Sequence, residues 1–202
     1  MSVDVVTTFL ALLAVLGIIF LLATWGLGIL SRVRGSVPDA VVPLRDAFVE
    51  LALPLGLAVA LTTTLGSLYL SEIAKFPPCP LCWYQRICMY PNVVLFAVAW
   101  WRRDRNVRFY VLPLVAIGAV IAAYHYLLER FPDSVSSVCS TDVPCETVWV
   151  WKFHFLSIPG MAGISFLMLG TLAVLAGRRG EGAASSGDTV ERQAVELEEV
   201  LS

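Results

Sequence analysis

With 58% hydrophobic and only 15% charged residues, a chain of 202 residues whose mean hydropathy is +0.78 lies far from soluble globular composition and close to membrane proteins. Its net charge of -2 and pI near 5.7 remove any electrostatic case for binding nucleic acid. No segment alternates apolar and polar residues as a lipid-facing strand must, which excludes a transmembrane barrel, and no repeat occurs at solenoid spacing.

Five stretches approach the roughly 20 apolar residues that cross a bilayer as a helix: about 5–30, 47–70, 84–101, 109–128 and 155–177. The first carries no ionisable residue within its span. It also lacks the basic leader and small-residue cleavage site of a signal peptide, so it is expected to stay as an anchor or packing helix. The third is the least apolar. It contains Pro91, tolerable because neighbouring helices can satisfy the carbonyl that a proline frees, and it needs amphipathic Trp83 and Tyr84 at its edge to reach full length.

Arginines cluster after the first span (Arg32, Arg34, Arg45), the third (Arg102, Arg103, Arg105, Arg108) and the fifth (Arg178, Arg179). Basic residues are retained on the cytoplasmic side, so this pattern predicts the N-terminus outside and the C-terminus in the cytoplasm. After Gly177 the chain turns Gly-, Ser- and Glu-rich, as a solvated tail does. The expected organisation is an added membrane helix over 1–34, a cytoplasmic linker over 35–46, a four-helix bundle over 47–177 and an acidic tail over 178–202.

That topology puts four of the five cysteines outside: Cys79 and Cys82 in one loop, Cys139 and Cys145 in the next. Disulfides persist in oxidising extracytoplasmic compartments, and these four allow three pairings, of which pairing within each loop is the simplest. Cys79-Pro80-Leu81-Cys82 directly precedes a helix start, where unpaired N–H groups and the positive end of the dipole stabilise thiolate. Arg86, four residues beyond Cys82, shares its helix face. An arginine near bilayer depth is a functional candidate, the bland alternative being one that snorkels to headgroups.

His125 falls near the outer end of the fourth span, at a level comparable with Arg86. With Trp83, Tyr84, Tyr124 and Tyr126 near, the pair offers donors and flat walls to a quinone ring, against the alternative of an interfacial histidine. His154 lacks such surroundings and reads as interfacial. Cys88 is turned about 240° from Cys82 around a helix, as a buried spectator would be. The short ring closed by Cys139 and Cys145 gains little entropy by cross-linking, which favours presentation of sulfur to another protein over a structural staple. The alternating Trp149, Trp151, Phe153 and Phe155 look like an interfacial belt.

Taken together, Cys79-Pro80-Leu81-Cys82-Trp83-Tyr84-Gln85-Arg86, Met89-Tyr90-Pro91, Tyr124-His125, Cys139 with Val143-Pro144-Cys145, and Ile158-Pro159 resemble the disulfide bond formation protein B family, DsbB, and especially its BdbC-like branch. The resemblance covers about 47–177. It implies an all-α integral membrane protein with a four-helix transmembrane bundle, here with one additional N-terminal transmembrane helix. It further implies that Cys79 and Cys82 lie beside a quinone, ubiquinone or menaquinone, and that Cys139 and Cys145 meet an extracytoplasmic thioredoxin-like, DsbA-like partner. By the same match Arg86 is similar to the family's quinone-proximal arginine, and His125 to a histidine at that site. The added helix, the acidic tail and the compact second cysteine loop depart from the family pattern.

The expected activity is therefore a quinone-dependent protein-dithiol oxidase of the cell membrane, without a metal. Electrons would pass from a dithiol partner through Cys139–Cys145 and then Cys79–Cys82. Competing readings are a quinone-linked protein of the vitamin K epoxide reductase type, a four-cysteine zinc site, and a scaffold with two structural disulfides.

Overall fold

The computed structural model describes residues 2–34, 42–131, 139 and 144–177. The tail over 178–202, most of the linker and much of the second cysteine loop lie outside the described residues. Five long helices are present: α1 (Val3–Arg34), α2 (Val42–Leu68), α3 (Pro80–Arg102), α4 (Arg108–Arg130) and α5 (Ile158–Gly177). No strand occurs among the described residues, only one antiparallel bridge between Lys152 and Leu156. This is the all-α membrane architecture expected from composition.

α1, α2, α4 and α5 are each long and apolar enough to cross a bilayer. α3 has the length, 23 residues or roughly 34 Å, but carries Gln85, Arg86 and Asn92, all buried inside the bundle. Its polarity faces inward, against α2 and α4. Large apolar side chains point outward instead: Leu12, Ile19 and Leu22 on α1, Ile87 and Val94 on α3, Ile117 and Val120 on α4. With lipid as solvent such a surface costs nothing, and the helices are held by close packing.

Small residues provide that packing. A Cβ placed on Gly56 of α2 would lie 2.3 Å from the Phe96 ring of α3, and one on Gly118 of α4 would lie 2.4 Å from the Phe166 ring of α5. Both rings are fully buried and seat directly on backbone, in a core that also contains Leu169, Leu172 and Val111. Pro54, Pro91 and Pro113 lie inside α2, α3 and α4. Just after Pro91, Asn92 donates from Nδ2 to the Cys88 carbonyl at 2.7 Å, which gives this buried amide a partner within its own helix. Cys88 itself is buried in the main core.

α2 ends in a π-helical turn, Tyr69–Ile73, closed by the Ala74 N–H on the Tyr69 carbonyl at 3.0 Å. Such wide turns often mark functional sites. Lys75 then takes a left-handed φ of 60°, and Phe76, Pro77 and Pro78 lead to α3. At the same end of the bundle, α4 finishes at Arg130 and α5 begins at Ile158. A tight turn with left-handed Phe153 and His154 precedes α5, and His154 is exposed there.

Candidate functional site

Cys79 is the N-cap of α3. Its backbone is extended (φ −71°, ψ 168°), its sulfur accepts the Cys82 N–H at 3.3 Å, and Pro80 follows in the first turn, where a missing N–H is no loss. The Cys82 sulfur lies 3.0 Å from that of Cys79, and both thiols are free. The adjoining Cys82 thiol, the His125 ring and the Cys82 N–H hold the Cys79 thiol far below its ordinary 9.0, at about 4, against the opposing pull of burial. The strongest thiolate stabilisation thus falls on Cys79, chiefly through the Cys82 thiol and then the His125 ring, with the Cys82 N–H of the first turn adding a smaller share.

His125 is buried, 3% exposed, and faces the sulfurs instead of headgroups. Its Nδ1 accepts from Gln85 Nε2 at 3.0 Å. That bond leaves the proton on Nε2, which donates to the Cys145 carbonyl at 3.2 Å and stands 3.8 Å from the Cys79 sulfur. One imidazole therefore touches both cysteine loops.

Cys139 and Cys145 form a disulfide with Cα atoms 5.9 Å apart. Cys145 is buried at 1% exposure, whereas Cys139 is only partly covered. Both pack into a single apolar cluster with Cys79, Cys82, Leu81 and Leu128. The chain brings Cys79, Cys82, Cys139 and Cys145 together, although Cys82 and Cys139 are 57 positions apart in sequence.

Arg86, one turn below Cys82, is turned into the bundle. Its Nε donates to Ser67 Oγ at 3.0 Å and an Nη to the Ser67 carbonyl at 2.9 Å, both on α2. Its guanidinium carbon lies 5.2 Å from the centre of the Trp83 ring. Cys82, Gln85 and Arg86 line one end of a cavity of about 470 Å³, within the range of small-molecule sites. Phe76, stacked on Trp149 at 5.2 Å, walls that end, and the cavity runs on between α1, α2 and α5 to Phe20 and Phe48.

Trp83, Tyr84, Tyr124 and Tyr126 are not among the lining residues, and Trp83 and Tyr84 are more than half exposed. The aromatic walls are Phe76, Tyr90 and Trp149, supplied by loops and by a deeper turn of α3. His125 does not line the cavity either; Gln85 stands between. Of the expected belt, Trp149 faces the cavity, Trp151 lies under the Arg130 guanidinium at 5.1 Å, and Phe153 and Phe155 are exposed. Gln85 and Ser67 received no role from sequence. A polar side chain inside an apolar span was the signal available for both.

The sequence model of the family described as "Disulfide bond formation protein DsbB" matches residues 50–176. Among curated relatives, "Disulfide bond formation protein C" of Bacillus subtilis (strain 168) is 47% identical over 112 residues, covering 55% of this chain and 81% of the relative. A "Probable disulfide formation protein C 1" of Bacillus anthracis is 40% identical over 126 residues, covering 62% and 91%. A "Probable disulfide formation protein" of Coxiella burnetii (strain Dugway 5J108-111) is 38% identical over 119 residues, covering 58% and 81%. No solved structure matches the chain.

Proposed function

The chain belongs to the DsbB family of disulfide bond formation proteins, and from that premise we propose that it is a membrane thiol:quinone oxidoreductase that reoxidises an extracytoplasmic thioredoxin-like dithiol protein. A multi-pass membrane protein that forms disulfide bonds is what the family and the helices themselves amount to. The acceptor, the partner and the direction are the proposal. The observation that carries it is the convergence of two cysteine pairs and His125 in one cluster, beside an apolar cavity whose polar end holds Cys82 and Arg86.

The residues fit a quinone. The cavity joins a cationic donor fork at Arg86 to flat apolar walls, and the buried Tyr90 hydroxyl on its lining has no hydrogen-bond partner among the described residues. Arg86, Gln85 and Tyr90 would hold such a ring, which when bound supplies the two-electron acceptor.

The chain's own residues then divide the work by burial. A partner thiolate attacks the accessible Cys139 sulfur, forming a mixed disulfide, and the electron pair of the broken bond leaves on buried Cys145. With Cys79 and Cys82, free thiols in this structure, first joined as a disulfide by loss of two electrons and two protons to the acceptor, Cys145 would attack Cys79, its neighbour in the cluster; the Cys79–Cys82 bond breaks and the pair leaves on Cys82, one turn from Arg86. The partner's second thiol resolves the mixed disulfide and departs oxidised, freeing Cys139. Cys139 then attacks Cys145 and expels Cys79, whose low pKa makes it a good leaving group. His125 Nε2 is placed to stabilise charge on Cys79 while it holds the Cys145 backbone. The arginines at the far ends of α1 and α3 support an extracytoplasmic position for this cluster.

Purified protein mixed with a reduced thioredoxin-like substrate and a soluble quinone should reduce the quinone, and replacement of any of the four cysteines by Ala should stop it. Turnover that survives loss of Cys79 or Cys82 refutes the proposal. A metal centre is the second reading, favoured because ligand atoms of Cys79, Cys82 and His125 lie within 4.8 Å of one another. The Cys139–Cys145 bond leaves only two thiols for it, and metal analysis of the purified protein decides.

A further inference from the structure

α1 lies wholly outside the family match, yet it is docked on the bundle along its length. At its outer end Asp4 pairs with Lys152 ahead of α5, and deeper down the Trp25 indole N–H donates to Thr171 Oγ1 of α5 at 3.1 Å. Between these ties it presents its small face, Ala11, Ala14 and Gly17. A Cβ on Gly17 would lie 2.6 Å from Met168 Sδ of α5, and one on Gly66 of α2 would lie 3.0 Å from Leu10. α1 therefore touches both α5 and α2 and roofs the groove between them.

What remains under that roof is the deep part of the 470 Å³ cavity, lined from α1 by Leu13, Leu16, Gly17 and Phe20. From Leu10 to Phe20 it extends roughly 15 Å along the helix axis. Its charged group, Arg86, is confined to one end. Two hydroxyls farther in are engaged with each other and with backbone: Thr63 donates to Ser165 at 3.1 Å and to the Val59 carbonyl, and Ser165 to the Met161 carbonyl. The space beyond the polar end therefore suits hydrocarbon.

We propose that α1 makes this groove a covered channel, open along one side, for the polyprenyl tail of the quinone, so that the added helix is a specificity element for tailed quinones and not only an anchor. The proposal rests on the quinone reading above. Its occupant is fixed by continuity, since the apolar channel opens onto Cys82 and Arg86 and a molecule filling both parts needs a polar ring on an apolar chain. A bilayer acyl chain would reach the deep part without using the polar end.

The test is competitive binding to the full-length purified chain of a polyprenyl quinone and of the same ring bearing methyl in place of the tail, each corrected for micelle partition. Leu13→Trp fills the channel without touching the α3 end. It should weaken the tailed quinone about tenfold, or about 1.4 kcal/mol, and leave the tailless ring unchanged. Leu12→Trp, on the lipid-facing side, should alter neither. In the unaltered chain, a photoreactive group carried on the tail should label the peptide containing residues 10–20, an outcome independent of whether Leu13→Trp folds. Labelling confined to other helices, or equal loss for both ligands, overturns the role of α1. Failure of the unaltered chain to bind even the tailless ring refutes the quinone reading instead, because that ring's site belongs to α3.

Discussion

The charge state of Cys79 gives the sharpest quantitative test of the site. With its thiol held at about 4 in place of 9.0, Cys79 should be almost wholly thiolate at pH 6, where an ordinary thiol is ionised to well under 1%. The largest cause is the Cys82 thiol, and the next favourable one is His125. Hydrogen bonds to a charged acceptor contribute about 1.5–3 kcal/mol, or roughly one to two pH units each. Cys82→Ala should therefore move the midpoint up by about one to two units, and His125→Leu by less. The assay is the rate of iodoacetamide labelling of the Cys79 peptide in reduced protein from pH 3.5 to 9, read by mass spectrometry. A depressed pKa means that stabilisation of the reduced form by this thiolate is complete above the ordinary thiol value and is lost as pH falls through about 4, so reactivity should persist across that whole window. Labelling that rises only near pH 8 to 9, or that ignores both substitutions, refutes the capping and imidazole argument.

Other consequences are equally specific. Arg86→Met should lower quinone-dependent turnover by about two to three orders of magnitude, the scale of losing one electrostatic donor, while membrane insertion stays intact; unchanged quinone kinetics would remove Arg86 from the mechanism. In a Cys82→Ala, Cys139→Ala double variant, nonreducing peptide mapping should find Cys79 joined to Cys145, and a bond to Cys88 in its place would contradict the order of exchange. Gly118→Ala, which drives a Cβ to 2.4 Å from the buried Phe166 ring, should cost about 1–3 kcal/mol in detergent unfolding, whereas Gly26→Ala, with nothing within 4 Å, should cost nothing. An impermeant thiol reagent applied to intact cells under reducing conditions should reach Cys139 from outside.

Membrane class and four of the five helices follow from apolar length alone, since twenty-odd apolar residues have few other solutions in lipid. The chemistry was legible for a similarly local reason. Cys79-Pro80-Leu81-Cys82 ahead of a helix carries its own capping geometry, and Arg86 lies on the face of Cys82 by helical spacing whatever surrounds it. Those features depend on neighbours in sequence. The junction of Cys145 with Cys79, the burial of His125 behind Gln85 and the anchoring of Arg86 on Ser67 depend on which helix lies beside which. No local pattern encodes that. α1 shows the division most plainly: its apolar run announced a membrane helix, but the small stripe Ala11, Ala14 and Gly17 acquires meaning only against Met168 and Ile164 of α5. In lipid every helix has apolar faces, so hydrophobicity cannot say which one turns inward; the fit of small residues to facing side chains decides it, and that fit exists only in three dimensions.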